Sequence, residues 1–143
     1  MDPKIQAYIS AQGTDRQGLL SAIHTLILER DQEVIAVVEP MMGKEMIIYK
    51  SNGMMKYALS SVKKHISLHV LPMYGSPALH DTYKSLLSKA HFQKGCINFT
   101  TAEEIPLNIV GQLFSDCAKI DLAAIRQQQL TDRKTEKGRV KSS

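Results

Sequence analysis

The sequence predicts an α+β fold, an antiparallel-dominated sheet of about five strands packed with about three helices. Three observations carry that expectation. Asn52-Gly53 separates two extended runs, residues 44–51 and 54–60, and supplies the two positive-φ positions that a type I′ hairpin turn demands. Residues 65–71 alternate apolar Ile66, Leu68 and Val70 with His65, Ser67 and His69, the period of a strand with one dry face. On either side of these segments, Leu19, Leu20, Ile23, Leu26 and Ile27, and later Ile109, Val110, Leu113, Phe114, Cys117 and Ile120, recur at helical spacing.

Along the chain, the first helix is expected over residues 15–29, with Thr14 or Asp15 as N-cap. Residues 33–39 are short and β-branched and read as a strand that stops near Pro40. Gly43 then breaks the chain before the hairpin. A two-residue loop sets Ser51 opposite Met54, so Met46, Ile48 and Lys50 should share a sheet face with Met55, Tyr57 and Leu59. The other face would carry Glu45, Ile47, Tyr49, Lys56, Ala58 and Ser60. Beyond the strand at 65–71, Ser76-Pro77 is an N-cap followed by proline at the first helical position. The helix it opens buries Leu79, Tyr83, Leu86, Leu87 and Ala90. Gly95 restarts an extended segment over 96–100, and Pro106 opens a last helix expected to run toward residue 130.

At 143 residues the chain is expected to hold a single domain over 1–130 and a basic, disordered tail over 131–143. Its apolar share of 43% and charged share of 22% are those of a globular protein and exclude a chain too polar to fold. No run approaches the roughly 20 apolar residues of a membrane helix, and the first ten residues lack the apolar core of a signal peptide. A cytoplasmic protein without a membrane partner is expected. Of the net charge of +4, most belongs to the tail, where five Lys/Arg face two Asp/Glu. The nearly neutral body, and a tail with no aromatic residue to stack on bases, argue against nucleic acid as the partner. An unknown small ligand or a protein partner is expected instead. Cys96 and Cys117 do not form a disulfide framework, and both are expected to be reduced.

Three constellations have chemical content. Lys63, Lys64 and Lys94, with His65 beside them, can converge on an anion, because strand corners expose backbone donors next to flexible point charges. The competing reading is a solvated turn whose lysines keep a strand edge from pairing with other molecules. His65 and His69 have the spacing of a helical metal motif, but on a strand their Cα atoms stand roughly 13 Å apart, too far to share one ion. Cys96 with His91 suggests a thiol nucleophile and, as an alternative, a small cysteine-dependent enzyme, whereas Cys117 lies on the apolar stripe of the last helix. The methionines Met41, Met42, Met46, Met54 and Met55 read as adaptable packing.

The order Gly43, Tyr49, Gly53, Tyr57, Lys63-Lys64-His65, Pro72, Lys94-Gly95, Phe99 and Pro106 resembles the pattern of the YdhG-like domain of unknown function, a small bacterial fold described as frataxin-like. The resemblance covers most of residues 15–120. Val38-Glu39-Pro40 and Met41-Met42 depart from the compact turn of that pattern, and residues 121–143 lie outside it. It implies an α+β fold, a cytoplasmic setting and a non-catalytic binding or carrier role without a cofactor, with no catalytic residues. The alternative it raises is an intracellular iron chaperone, for which hard oxygen ligands would be needed. Glu29, Asp31 and Glu33 are the candidate ligands, while Glu103-Glu104 are explained by the positive end of the helix that follows.

Overall fold

A computed structural model describes residues 2–41, 43–62, 65–93, 95–101 and 105–120. Two helices open the chain, α1 (Pro3–Ser10) and α2 (Thr14–Arg30). The Asp2 carboxylate caps α1 by accepting from the Lys4 backbone N–H at 2.7 Å, and Pro3 stands in the first turn, where a missing N–H costs nothing. Helix α2 begins at an N-cap Gly13 with no side-chain cap, so Thr14 is already helical and neither it nor Asp15 caps the helix as expected.

The described residues form one antiparallel sheet of six strands: β1 (Ile35–Met41), β2 (Lys44–Ser51), β3 (Met54–Ser61), β4 (Ile66–Val70), β5 (His91–Gln93) and β6 (Cys96–Phe99). Their spatial order is β1-β2-β3-β4-β6-β5. A 3-10 turn (Leu71–Tyr74) and helix α3 (Pro77–Leu86) join β4 to β5, and α4 (Leu107–Ala118) follows β6. The α+β class and the antiparallel sheet are as expected; the counts are not. The sixth strand, β5, has three residues and is too short to show a period. Helix α1 was signalled by Asp2-Pro3 and by Ile5 and Ile9 four apart, both buried, but eight residues make a weak pattern. Strand β1 starts two residues later than expected and runs through Pro40, which the outermost strand tolerates because one side of its backbone needs no ladder. The continuation of the last helix toward residue 130 and the tail 131–143 lie outside the described residues.

The turn at Asn52-Gly53 has both φ angles positive, at 52° and 77°, and Ser51 pairs with Met54 as the turn chemistry requires. The expected faces nevertheless fail one step later. Lys50 pairs with Met55 but Tyr49 pairs with Tyr57, so Lys56 is an extra residue in β3, a β-bulge. Inserting one residue inverts the phase between the two strands. Ile47 and Tyr49 therefore join Tyr57 and Leu59 in the main core, and Met46 and Ile48 join Ala58 on the other face.

All four described α-helices contribute to the main core. Ile5 and Ile9 from α1, Leu20, Ile23 and Ile27 from α2, Tyr83 from α3, and Val110, Leu113 and Phe114 from α4 close over Ile47, Tyr57, Leu59, Leu68, Val70, Ile97 and Phe99 of the sheet. Each fully buried aliphatic or phenyl side chain contributes about 1.5–3 kcal/mol. At the centre, Tyr57 lies edge-on to Phe114, with ring centroids 5.1 Å apart, and to Tyr49, at 6.5 Å. The second apolar cluster, Met46, Ile48 and Ala58 with Val37, Met41 and Met55, comes from β1, β2 and β3 alone. At the far end of β4, the Val70 N–H donates to the Gly95 carbonyl at 2.7 Å. A Cβ on Gly95 would stand 2.3 Å from the Tyr74 ring, so only glycine lets this backbone pass under the aromatic. Among the described residues, no helix is long and apolar enough to cross a membrane.

Candidate functional site

Two polar clusters lie on opposite faces of the sheet. The first follows from the bulge. With Lys56 displaced out of the regular alternation, its side chain turns toward α2, where the chain leaves the helix at Asp31. The Lys56 Nζ and Asp31 Oδ2 atoms are 2.8 Å apart, and the two side chains are 2% and 1% exposed. The Tyr57 hydroxyl donates to the same Asp31 oxygen at 2.7 Å. Burial, the neighbouring Cys117 thiol and the bond to Asp31 raise the Tyr57 phenol far above its ordinary range, so it remains a donor. Burial pushes the Cys117 thiol up to about 12. A thiol so placed stays protonated and is a poor nucleophile. Nearby, the Tyr83 hydroxyl donates to Asp116, and elsewhere in the core His24 Nδ1 stands 2.7 Å from the Tyr49 hydroxyl. Burial lowers the His24 pKa and raises that of Tyr49, which favours the neutral form of both. Among the described residues no buried side-chain N or O lacks a partner, so this interior is fully committed to itself.

The second cluster is on the outer face, formed by the side chains of β4 and β6 that alternate away from Leu68, Val70, Ile97 and Phe99. Ser67 pairs with Asn98 and His69 with Cys96 as direct cross-strand partners, and Ser60 extends the row onto β3. The Ser67 hydroxyl donates to Asn98 Oδ1 at 2.9 Å and lies 3.1 Å from Cys96 Sγ. Cys96 Sγ is also 3.5 Å from Asn98 Oδ1. Ser67 is buried, while Cys96, Asn98 and His69 are half-buried. Burial lowers the His69 pKa, which favours the neutral imidazole. The apolar cluster of Met46, Ile48 and Ala58 continues the same face, because Ala58 is the cross-strand partner of His69.

Of the expected anion site, Lys63, Lys64 and Lys94 lie outside the described residues. His65 is half-buried, and its carbonyl accepts from the Val62 N–H at 3.0 Å and from the Arg16 guanidinium at 3.3 Å. Arg16 also bonds Ser61 Oγ at 2.8 Å and the Val62 carbonyl, and the Tyr8 hydroxyl accepts from the Ser61 N–H, so α1 and α2 both hold the corner between β3 and β4. The described neighbours of the lysines, Val62 and His65 on one side and Gln93 and Gly95 on the other, flank opposite ends of β4. Five residue steps along a strand amount to roughly 16 Å.

The three carboxylates considered for iron do not share a role. Glu29 and Glu33 are exposed, whereas Asp31 is buried against Lys56 and Tyr57. Among the described residues no three His, Cys, Asp or Glu side chains are grouped as a metal ion would need. His91, considered as the base for Cys96, pairs with Asn98 instead and is exposed; the imidazole directly opposite Cys96 is that of His69. Sequence reasoning missed that neighbour because β4 and β6 are joined by a long excursion through α3 and β5. It missed Lys56 because a bulge leaves no mark on a strand of eight residues. An open groove of about 510 Å³ between α1 and the first two strands is lined by Lys4, Tyr8, Gln12, Val38 and Glu45. No protein-family model, no curated protein and no solved structure matches the chain.

Proposed function

We propose that the chain is a small cytoplasmic, YdhG-like binding or carrier module that catalyses no reaction and takes its ligand on the outer face of the sheet. The observation that carries this reading is the division of the two faces. All four described α-helices close over one, and the other sets Met46, Ile48 and Ala58 beside a polar row of Ser60, Ser67, His69, Cys96 and Asn98. Met46, Ile48, Ala58, Ser60 and Ser67 are themselves buried, and the half-buried Val37, Met41 and Met55 beside the half-buried His69, Cys96 and Asn98 make an apolar patch bordered by a few hydrogen-bonding groups, the composition of a binding surface. The buried Lys56-Asp31-Tyr57 group has no such freedom, since its donors and acceptors already satisfy one another.

A thermal-shift screen over metals, phosphorylated metabolites and nucleotides tests the proposal, because a ligand that prefers the native state raises its apparent stability. The expected result is a stabilising ligand whose effect is lost in Ser67→Ala and Ile48→Lys. A ligand that still stabilises both variants but not Lys63→Glu would move the site to the β3–β4 corner and overturn the reading. Ferrous iron is one arm: saturable stabilisation that disappears in Glu29→Gln and Glu33→Gln would establish the iron-chaperone alternative in its place.

A further inference from the structure

The described sheet ends in two edges of different character. On one side β5 has three residues, too few to template a further strand. On the other, β1 has seven, rich in β-branched residues and without a lysine. A long, apolar edge without lysines invites pairing with another chain. The charged side chain of β1, Glu39, is already paired with Lys50 at 2.8 Å, and Ile35 is 69% exposed. Pro40 fixes which peptide groups face outward. In an antiparallel ladder, opposed residues alternate between pairs that exchange both hydrogen bonds and pairs that exchange none. Pro40 has no N–H, so its pairing with Glu45 is of the second kind, and by alternation so are those of Val38 with Ile47 and Ala36 with Tyr49. The N–H and C=O groups of Ala36 and Val38 therefore point away from β2, and among the described residues no hydrogen bond engages them.

We propose that β1 is a dimerisation edge: it pairs antiparallel with β1 of a second copy of this chain about a two-fold axis, Ala36 opposite Val38 and Val37 opposite Val37, so that one sheet runs through both copies. The register follows from the outward groups. They must meet outward groups, so even-numbered residues oppose even-numbered ones. With Ala36 opposite Ala36, Val38 would face Val34, whose N–H is directed at the Asp31 carbonyl at 3.5 Å. With Val38 opposite Val38, Ala36 would face Pro40, which has no proton to donate. Placing Ala36 opposite Val38 completes two pairs that each exchange both hydrogen bonds, and Pro40 stays outside them. A two-fold axis makes the strand complementary to itself. The same register sets the two Glu39 residues four steps apart along the strands, roughly 13 Å, so their charges do not oppose each other. Val37, which packs against Met46, Ile48 and Ala58, meets its own copy and joins the outer apolar clusters of the two chains. The pairing uses the strand edge and does not rest on the ligand assigned to the outer face.

The test is sedimentation equilibrium of the full chain from micromolar to submillimolar concentration, where a species of twice the chain mass is expected. Val38→Pro removes an N–H that serves no bond within the chain, so circular dichroism should stay native while association weakens roughly tenfold or more. Mild oxidation of Val37→Cys and Ile35→Cys, with the linked peptides identified by mass spectrometry, reads the register. Val37 faces its own copy, whereas the two copies of Ile35 stand roughly 13 Å apart, so Val37→Cys should cross-link to itself roughly tenfold faster although Ile35 is the more exposed. A chain that stays monomeric throughout overturns the proposal, as does a dimer that Val38→Pro leaves equally tight. Ile35→Cys cross-linking as fast as Val37→Cys overturns it too, and that comparison decides the matter if Val38→Pro fails to fold. Thermal-shift results with small ligands bear on the outer face alone and are independent of these outcomes.

Discussion

The polar group around Cys117 and the polar group around Cys96 sit on opposite faces of one sheet, each with a cysteine among hydrogen-bonding neighbours. Around Cys117 the partners are a carboxylate, an ammonium and a phenol, all but excluded from water and satisfied by one another. Around Cys96 they are two small polar side chains and an imidazole, with the sulfur half-buried. Residue type alone does not separate them. A buried ion pair loses hydration at each member, and what remains after compensation makes it a lock on the local geometry. Half-buried side chains that hydrogen-bond one another give up less hydration and hold the local geometry less tightly.

Removing one member of the lock should have the largest effect. Asp31→Ala or Lys56→Ala leaves an uncompensated buried charge, and each is expected to lower stability by on the order of 3–5 kcal/mol in urea unfolding. The double change Asp31→Leu with Lys56→Met should cost less than the sum of the two single changes. Single costs below about 1 kcal/mol would show that water reaches this interior and erase the contrast between the two faces.

Next comes Gly95→Ala, where the new methyl must displace the Tyr74 ring and approaches the Val70 carbonyl at 2.9 Å. A loss of about 1–3 kcal/mol is expected, recovered only in part by Tyr74→Ala. A neutral Gly95→Ala would mean that the turn into β6 is looser than the Val70–Gly95 bond implies.

Acidification sharpens the comparison further. Burial lowers the pKa of both His24 in the core and His69 on the outer face, so the unfolded chain binds more protons than the native one just below pH 6.5. Their contribution is fully present above the ordinary histidine value of 6.5 and is lost as pH falls through the lowered native values. His24→Gln should flatten the stability profile in that window, and His69→Gln should do the same. A profile unchanged by either variant would remove histidine titration as its source.

The smallest expected effect is that of Ser67→Ala, about 1 kcal/mol in stability for one buried hydroxyl hydrogen-bonded to a half-buried partner. A stability loss above about 3 kcal/mol would give Ser67 the same weight as the interior lock.

Much of the architecture was legible in the residues. Asn52-Gly53 marked the hairpin, Ser76-Pro77 the start of α3, and the alternation of Ile66, Leu68 and Val70 the dry side of β4. The same strand rule put Ser67 and His69 together on the wetter side. The phase of β2 was misread, because one bulged residue inverts everything beyond it and Lys56 looks like any solvent-facing lysine. Asp31 was singled out with Glu29 and Glu33 for its charge, yet the three separate completely once α2 ends with Asp31 pointing inward and the other two exposed. Ser67 and Cys96 are 29 residues apart in sequence, and no local rule joins them.

By itself the sequence determined what short-range chemistry controls: the helical stripes, the caps at Asp2 and Ser76, the positive-φ turn at residues 52 and 53, and the pleated segments between them. Tertiary structure alone decided that Lys56 turns inward to meet Asp31, that Tyr49 belongs to the core, and that His69 faces Cys96. Dihedral preference and apolar period act over a few residues, whereas strand partners, bulges and the face that becomes dry are chosen by the packing of the whole chain.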